Sequence, residues 1–272
     1  MIQEIANRTA SFLGHESRLV KLLRPAYQSA LNGLAFGRGI EWSINGIPCR
    51  IDARFRSAMG KNYDSVVAGL LSKRIQPGAT CYNVGANLGV YVIQLAHWSR
   101  SHGRVVAFEP NPSTVSALRQ HIAMNALEDR VMLVPEAVSN RQTSADLYAT
   151  VYGGMSRLGA PNRLLGDEVT TMISVPVTTI DAYVEKTGLV PDVMLVDVEG
   201  FEMNVLDGAR RTLERNPKMI LLLEMHPNVW ESAGTDRSKA VSLLTELHFS
   251  VIPLMGQTDP LDEYGLVELC RS

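Results

Sequence analysis

The rhythm of apolar and polar positions changes near residue 77. Before that point, Ile5, Phe12, Leu19, Leu22 and Leu23 recur at helical spacing, and Arg24-Pro25 breaks the helical stretch predicted within residues 1 to 35. In EWSINGIPCRI, Asn45-Gly46 separates two short β-rich runs. A type I′ turn needs positive φ at both central residues, so this pair predicts a hairpin. Tyr63 to Ile75 reads as a further helix, stopped by Gln76-Pro77-Gly78.

From residue 79 onward, short apolar runs alternate with amphipathic ones, the pattern of βα units and of a parallel sheet with helices on both faces. Strands are expected at 79–84, 104–109, 131–135, 192–197 and 219–224. One helix is expected from Leu88 to Ser101, and another after Asn111-Pro112, which supplies an N-cap and a proline at the first helical position. A third should run unbroken from Glu202 to Arg215 until Asn216-Pro217 stops it. HFSVIPL and YGLVEL read as a closing antiparallel pair, and Ser139 to Val175 as an inserted pair of strands with a tip near Gly153 to Gly166. The expected division is an N-terminal helical and hairpin cap over residues 1–76, forming a lid or a homodimer surface, followed by an α/β domain over 77–272.

Composition narrows the class. The 272 residues are 46% hydrophobic and 20% charged, enough for a folded core, and the net charge of −2 leaves no global positive field for nucleic acid or anionic membrane. Cys49, Cys81 and Cys270 lack the spacing of a zinc knuckle or a disulfide framework, which points to a reducing cytoplasm. No apolar run is long enough to cross a bilayer.

Ligands of open α/β sheets bind beyond the carboxyl ends of the strands, and the first such end reads Asn83-Val84-Gly85-Ala86-Asn87-Leu88-Gly89. Gly85 and Gly89 allow a sharp strand-to-helix turn with close backbone approach. Glu109 lies 20 positions beyond Gly89 at the end of the next strand, where a carboxylate can accept both hydroxyl hydrogens of a ribose; it could equally serve as an acid near a helix N-terminus. A dinucleotide asks for G-x-G-x-x-G, but the middle position here is Asn87, so S-adenosylmethionine is favoured over NAD. Glu136 and Ala137, after the third strand, are placed near the adenine edge.

The ordered set VGANLGVY, VVAFEPNP, VTTIDAY, MLVDVEGFEMNVLDGA and LLLEMHP resembles the FkbM-type S-adenosylmethionine-dependent methyltransferases over residues 60 to 270. That resemblance implies a class I, Rossmann-like methyltransferase fold: a seven-stranded, mostly parallel sheet with an antiparallel last strand, transferring methyl chiefly to oxygen of sugars and specialised metabolites. It implies cofactor contacts at Asn83, Gly85, Asn87, Gly89, Glu109 and Asp197, and a transfer site at Asp197, Glu199, Glu224 and His226. Two positions depart from the family pattern. Asn83 stands where aspartate is usual, dropping a charge that would help hold the cofactor's ammonium. Leu195 stands where a lysine is usual.

Two mechanisms fit the four polar residues that end the apolar strands. In the favoured one, His226 removes the acceptor's proton while Glu224 or Asp197 orients the ring. In the other, the cluster holds a divalent cation; no fixed ligand motif demands one, so no metal site is assigned. Glu199 could instead cap the following helix, and His226 could bond a backbone carbonyl. Met155, Ser156 and Arg157 are candidate loop contacts, with Arg157 read as solvated, and Trp42, Tyr63, Trp98 and Trp230 are candidate pocket walls or packing. The expected activity is O-methylation of a small-molecule or glycosyl acceptor. The alternatives are an N-methyltransferase, an NAD(P)-linked oxidoreductase, or a non-catalytic cofactor-binding protein.

Overall fold

A computed structural model describes residues 38–150, 156–159 and 171–271. The helix expected within residues 1 to 35, Met155 and most of the insert's tip lie outside the described residues. Strands β1 (Ile40–Ile44) and β2 (Ile47–Ile51) form the predicted hairpin, with φ of 49° at Asn45 and 81° at Gly46. Helix α1 (Ser65–Arg74) follows, and then the βα alternation begins: β3 (Thr80–Val84), α2 (Val90–Trp98), β4 (Arg104–Phe108), α3 (Pro112–Met124) and β5 (Val131–Val134). Asn111 caps α3 as expected, its side chain accepting from Ser113 N.

The insert is β6 (Ala137–Val138), β7 (Thr143–Ala149), β8 (Arg157–Leu158) and β9 (Thr171–Thr178), which make a small sheet in the order β6-β9-β7-β8. Helix α4 (Ile180–Thr187) leads into β10 (Val193–Val196), α5 (Glu202–Asp207), α6 (Arg210–Arg215) and β11 (Ile220–Met225). A 3₁₀ helix (Pro227–Ala233), α7 (Arg237–Glu246), β12 (Phe249–Pro253) and β13 (Gly265–Arg271) complete the chain.

The main sheet has seven strands in the order β12-β13-β11-β10-β3-β4-β5, all parallel except β13, which runs antiparallel to both neighbours. This is the sheet that the FkbM resemblance implies. Alternate residues of a strand face opposite sides, so an all-apolar strand serves two cores. Cys81, Val193 and Leu195 join the core shared with the hairpin, α1, α2 and α3. Tyr82, Val84, Met194 and Val196 join the core under α4, α5, α6 and α7. The chain leaves β3 toward β4 and β5, then returns to place β10 on the other side of β3, which opens a crevice at the carboxyl ends of those two strands.

The single helix expected over 202–215 is two helices, interrupted at Gly208-Ala209. Gly208 packs against the backbone of Ser139, where a Cβ would overlap the carbonyl oxygen, and its own carbonyl accepts from Asp181 N at 3.0 Å. The Asp181 carboxylate then takes the free N–H groups of Arg211 at 3.0 Å and Thr212 at 2.8 Å, capping α6 from a distant segment. Gly208→Ala should therefore destabilise the fold by about 1–3 kcal/mol through overpacking. A chemical-denaturation midpoint equal to that of the unsubstituted chain would contradict this packing.

Candidate active site

The crevice is built where three backbone segments meet. Gly85 N and Ala86 N donate to Phe108 O at 3.0 and 2.8 Å, and Asp197 N donates to Val84 O at 2.9 Å. Gly85 has φ of 85°, and a Cβ there would overlap the carbonyl oxygen of Asp197. Only glycine lets the turn after β3 lie so close to the end of β10.

Among the residues lining the resulting cleft are Gly85, Asn87, Glu109, Glu136, Ala137, Asp197 and Glu199, with Phe108, Val138, Leu147 and Leu158 as apolar walls. Two of these residues, Asn87 and Glu199, hold φ of 46° and 51°, a left-handed conformation uncommon for residues with a side chain. Glu109 is buried, and its carboxylate ties two turns together. One oxygen accepts from Asn87 N and the other from Asn111 N, each at 2.9 Å. Each oxygen keeps a lone pair for a further donor. Burial pushes the Glu109 carboxyl up to about 7 against the opposing effect of those N–H bonds.

On the β11 side the cleft gives way to a cluster of ionisable groups. One ligand-capable atom each from Asp197, Glu199 and His226 lies within 4.8 Å of the others. His226 is buried; its Nδ1 lies 2.9 Å from Glu202 Oε1, and its Nε2 lies 3.9 Å from Glu199 Oε2. Glu202, fully buried at the start of α5, also accepts from Gly200 N at 2.7 Å and Trp230 Nε1 at 2.9 Å. Burial opposes charge on the His226 ring, but the hydrogen bond and charge of Glu202, with Asp197 and Glu199, raise its pKa to about 9. Burial, and then the Glu224 charge, hold the Asp197 carboxyl well above the usual carboxylate range; burial also raises Glu199. Glu224 accepts a hydrogen bond from Tyr264 Oη, and the Tyr264 and His226 rings lie 5.2 Å apart.

Residues 83–254 match the sequence profile of the Methyltransferase FkbM domain. The chain belongs to the FkbM methyltransferase family. Methyltransferase FkbM from Methylobacillus flagellatus KT is similar at 15% identity and a TM-score of 0.45, over 70% of this chain and 43% of that one. This chain thus spans less than half the length of that relative. Precorrin-6y C5,15-methyltransferase from Geobacter metallireducens GS-15 is similar at 14% identity and a TM-score of 0.45, over 80% and 93% of the two chains. Fibrillarin from Aeropyrum pernix, solved with S-adenosyl-L-methionine natively bound, is similar at 12% identity and a TM-score of 0.45, over 85% and 82%. No curated protein matches the chain by sequence.

S-Adenosylmethionine is the cofactor that FkbM membership carries. The cleft suits such a group: it offers a carboxylate with spare lone pairs, apolar walls, and a buried Asn87 Oδ1 that takes no hydrogen bond from the described residues. Not every residue that the FkbM resemblance implied as a contact lines it. Gly89, with φ of 90°, faces Leu118 of α3, where a Cβ would overlap that side chain, so it serves helix packing. Asn83 is buried in β3, and its Oδ1 likewise has no partner among the described residues. It is the register partner of Leu195, so the two departures from the FkbM pattern sit side by side.

Other expectations need correction. The carboxylate that orients His226 is Glu202, not Glu224 or Asp197, and sequence reasoning missed it because an acid opening a helix looks like a solvated dipole partner. Arg157 is buried rather than solvated; its guanidinium donates to Val229 O at 3.1 Å and to Ser232 Oγ, fastening β8 to the 3₁₀ helix after His226. Leu147 and Leu158, also unforeseen, line the cleft beside Ser156. Trp230 is core and holds Glu202, while Trp42 and Trp98 pack against the opposite core. Among the described residues no helix is long and apolar enough to cross a membrane.

Gly85→Ala should displace Asp197 from the cleft and weaken S-adenosylmethionine binding at least about tenfold, because the turn must open to admit the methyl group. Calorimetric titration giving an unchanged Kd would contradict the tight crossing of the two segments.

Proposed function

We propose that the chain is an S-adenosylmethionine-dependent O-methyltransferase acting on a hydroxyl of a small metabolite or glycosyl group. The observation that carries this reading is the position of Asp197: it lines the cofactor cleft and also belongs to the cluster with Glu199 and His226, so donor and acceptor would meet at one carboxylate. Glu109 would accept the ribose hydroxyls, Asn87 Oδ1 the cofactor's ammonium, and Glu136 and Ala137 would border the adenine. S-Adenosylmethionine supplies a methyl carbon on a sulfonium; its transfer to oxygen leaves a neutral thioether and releases the hydroxyl proton. Glu224, Tyr264 and His226 would seat the acceptor, and the Glu224 carboxylate would take up the released proton.

The 1–76 segment would form the acceptor side of the site. Tyr63 and Tyr91 meet edge to face at 5.5 Å, Tyr91 Oη donates to Asp64 Oδ2 at 2.9 Å, and after burial the charges of Asp197, Asp64 and Glu224 push the Tyr63 phenol up.

Incubation with methyl-labelled S-adenosylmethionine and a panel of hydroxylated acceptors should yield a labelled methyl ether; labelled amines alone would contradict the hydroxyl reading. Glu109 makes a pH-dependent contribution. Its folded pKa of about 7 lies above the ordinary value, and hydroxyl donors favour the ionised form. Cofactor affinity should therefore rise from pH 6 to pH 8 and fall as Glu109 is protonated. Glu109→Gln should flatten that profile and cost about 1–3 kcal/mol of binding at pH 8. An unaltered profile in calorimetry would contradict the ribose contact.

A further inference from the structure

The carboxylates at this end of the sheet are satisfied unequally. Glu109 takes two backbone N–H groups, Glu224 takes Tyr264, and Glu202 takes Gly200, Trp230 and His226. The side chains of Asp197 and Glu199 take no hydrogen bond from any described residue, although both are at least half-buried. Both carboxylates stay partly open to solvent, so a ligand can reach them. Opposite them stands His226, 7% exposed, whose Nε2 has no hydrogen-bond partner among the described residues and faces Glu199 Oε2 at 3.9 Å. That separation is too long for a hydrogen bond and suits two ligands of one ion, since cation–ligand distances are about 2.0–2.6 Å.

We propose that Asp197, Glu199 and His226 Nε2 together bind a divalent cation, which takes the acceptor's hydroxyl oxygen as a further ligand and makes its proton easier to lose. Three independent features converge on this site. The three ligand atoms fall within one 4.8 Å set. The ring is held from behind, Nδ1 on Glu202 and Glu202 on Trp230, the carboxylate–histidine support that leaves Nε2 free for a metal. Asp197 also lines the cofactor cleft, so a cation here would lie between the methyl donor and the acceptor. Two carboxylates with one imidazole match ions that accept both oxygen and nitrogen, such as Mn²⁺.

This inference rests on the reading of the cluster as the place of transfer, but its test needs no turnover. Mn²⁺ titrated into the full chain, without cofactor or acceptor, should be taken up at one ion per chain, as read by the loss of the free-ion electron paramagnetic resonance signal. Glu199→Gln should weaken that uptake at least about tenfold. Glu202→Gln, acting through the ring and through the Gly200 turn that carries Glu199, should weaken it about 10- to 100-fold. Mg²⁺ or Zn²⁺ should compete for the same site. Failure of all three ions to bind, or equal Mn²⁺ binding by Glu199→Gln, would overturn the cation site. A cation bound as described with methyl found only on amines would leave this site standing and overturn the hydroxyl reading instead.

Discussion

Everything at the site depends on one close backbone approach, that of Gly85 to the carbonyl of Asp197. The turn after β3 and the end of β10 come from segments more than a hundred residues apart, and they touch because no side chain stands between them. With Asp197 N on Val84 O, and Gly85 N and Ala86 N on Phe108 O, three strand ends are pinned to one point. The cleft on one side and the ionisable cluster on the other are two sides of that junction, and Asp197 belongs to both.

The energetics follow from where apolar burial stops. Val193 to Val196 are all at most 1% exposed, so β10 is held by its flanking cores, each such side chain contributing about 1.5–3 kcal/mol. Beyond Val196 the chain delivers Asp197 and Glu199 into a region that is still partly dry. Most neighbouring acids are matched by N–H or O–H donors from the protein itself. Glu199 is also held at φ of 51°, a conformation with a modest cost that persists because Gly200 and Glu202 anchor the turn behind it. The functional end of the sheet thus carries backbone strain and acidic groups without donors of their own among the described residues.

Much of this was legible in the sequence because it was local. Asn45-Gly46 specifies its own turn, Asn111-Pro112 its own cap, and five apolar runs their own strands. The family motifs pointed to Glu109 as a cofactor contact and to Asp197 and Glu199 at a transfer site, and these three residues line one cleft. What escaped depends on partners remote in the chain. Gly208 breaks a helix because Ser139 lies against it, and Gly89 turns to Leu118 instead of the cleft. Arg157 is buried by Val229 and Ser232, and Glu202 gains its role from His226 and Trp230. Asn83 and Leu195 read as separate departures from the family pattern, yet strand pairing makes them neighbours, so a position that lacks the usual acid adjoins one that lacks the usual base. None of these pairings has a spacing that sequence periodicity can report.

The most direct measurement is a crystal structure of the chain with S-adenosylhomocysteine. The ribose hydroxyls should rest on Glu109, and the sulfur should face Asp197 across the turn at Gly85. Ligand density elsewhere on the molecule, or a ribose with no contact to Glu109, would contradict the assignment of this crevice as the place where methyl donor and acceptor meet.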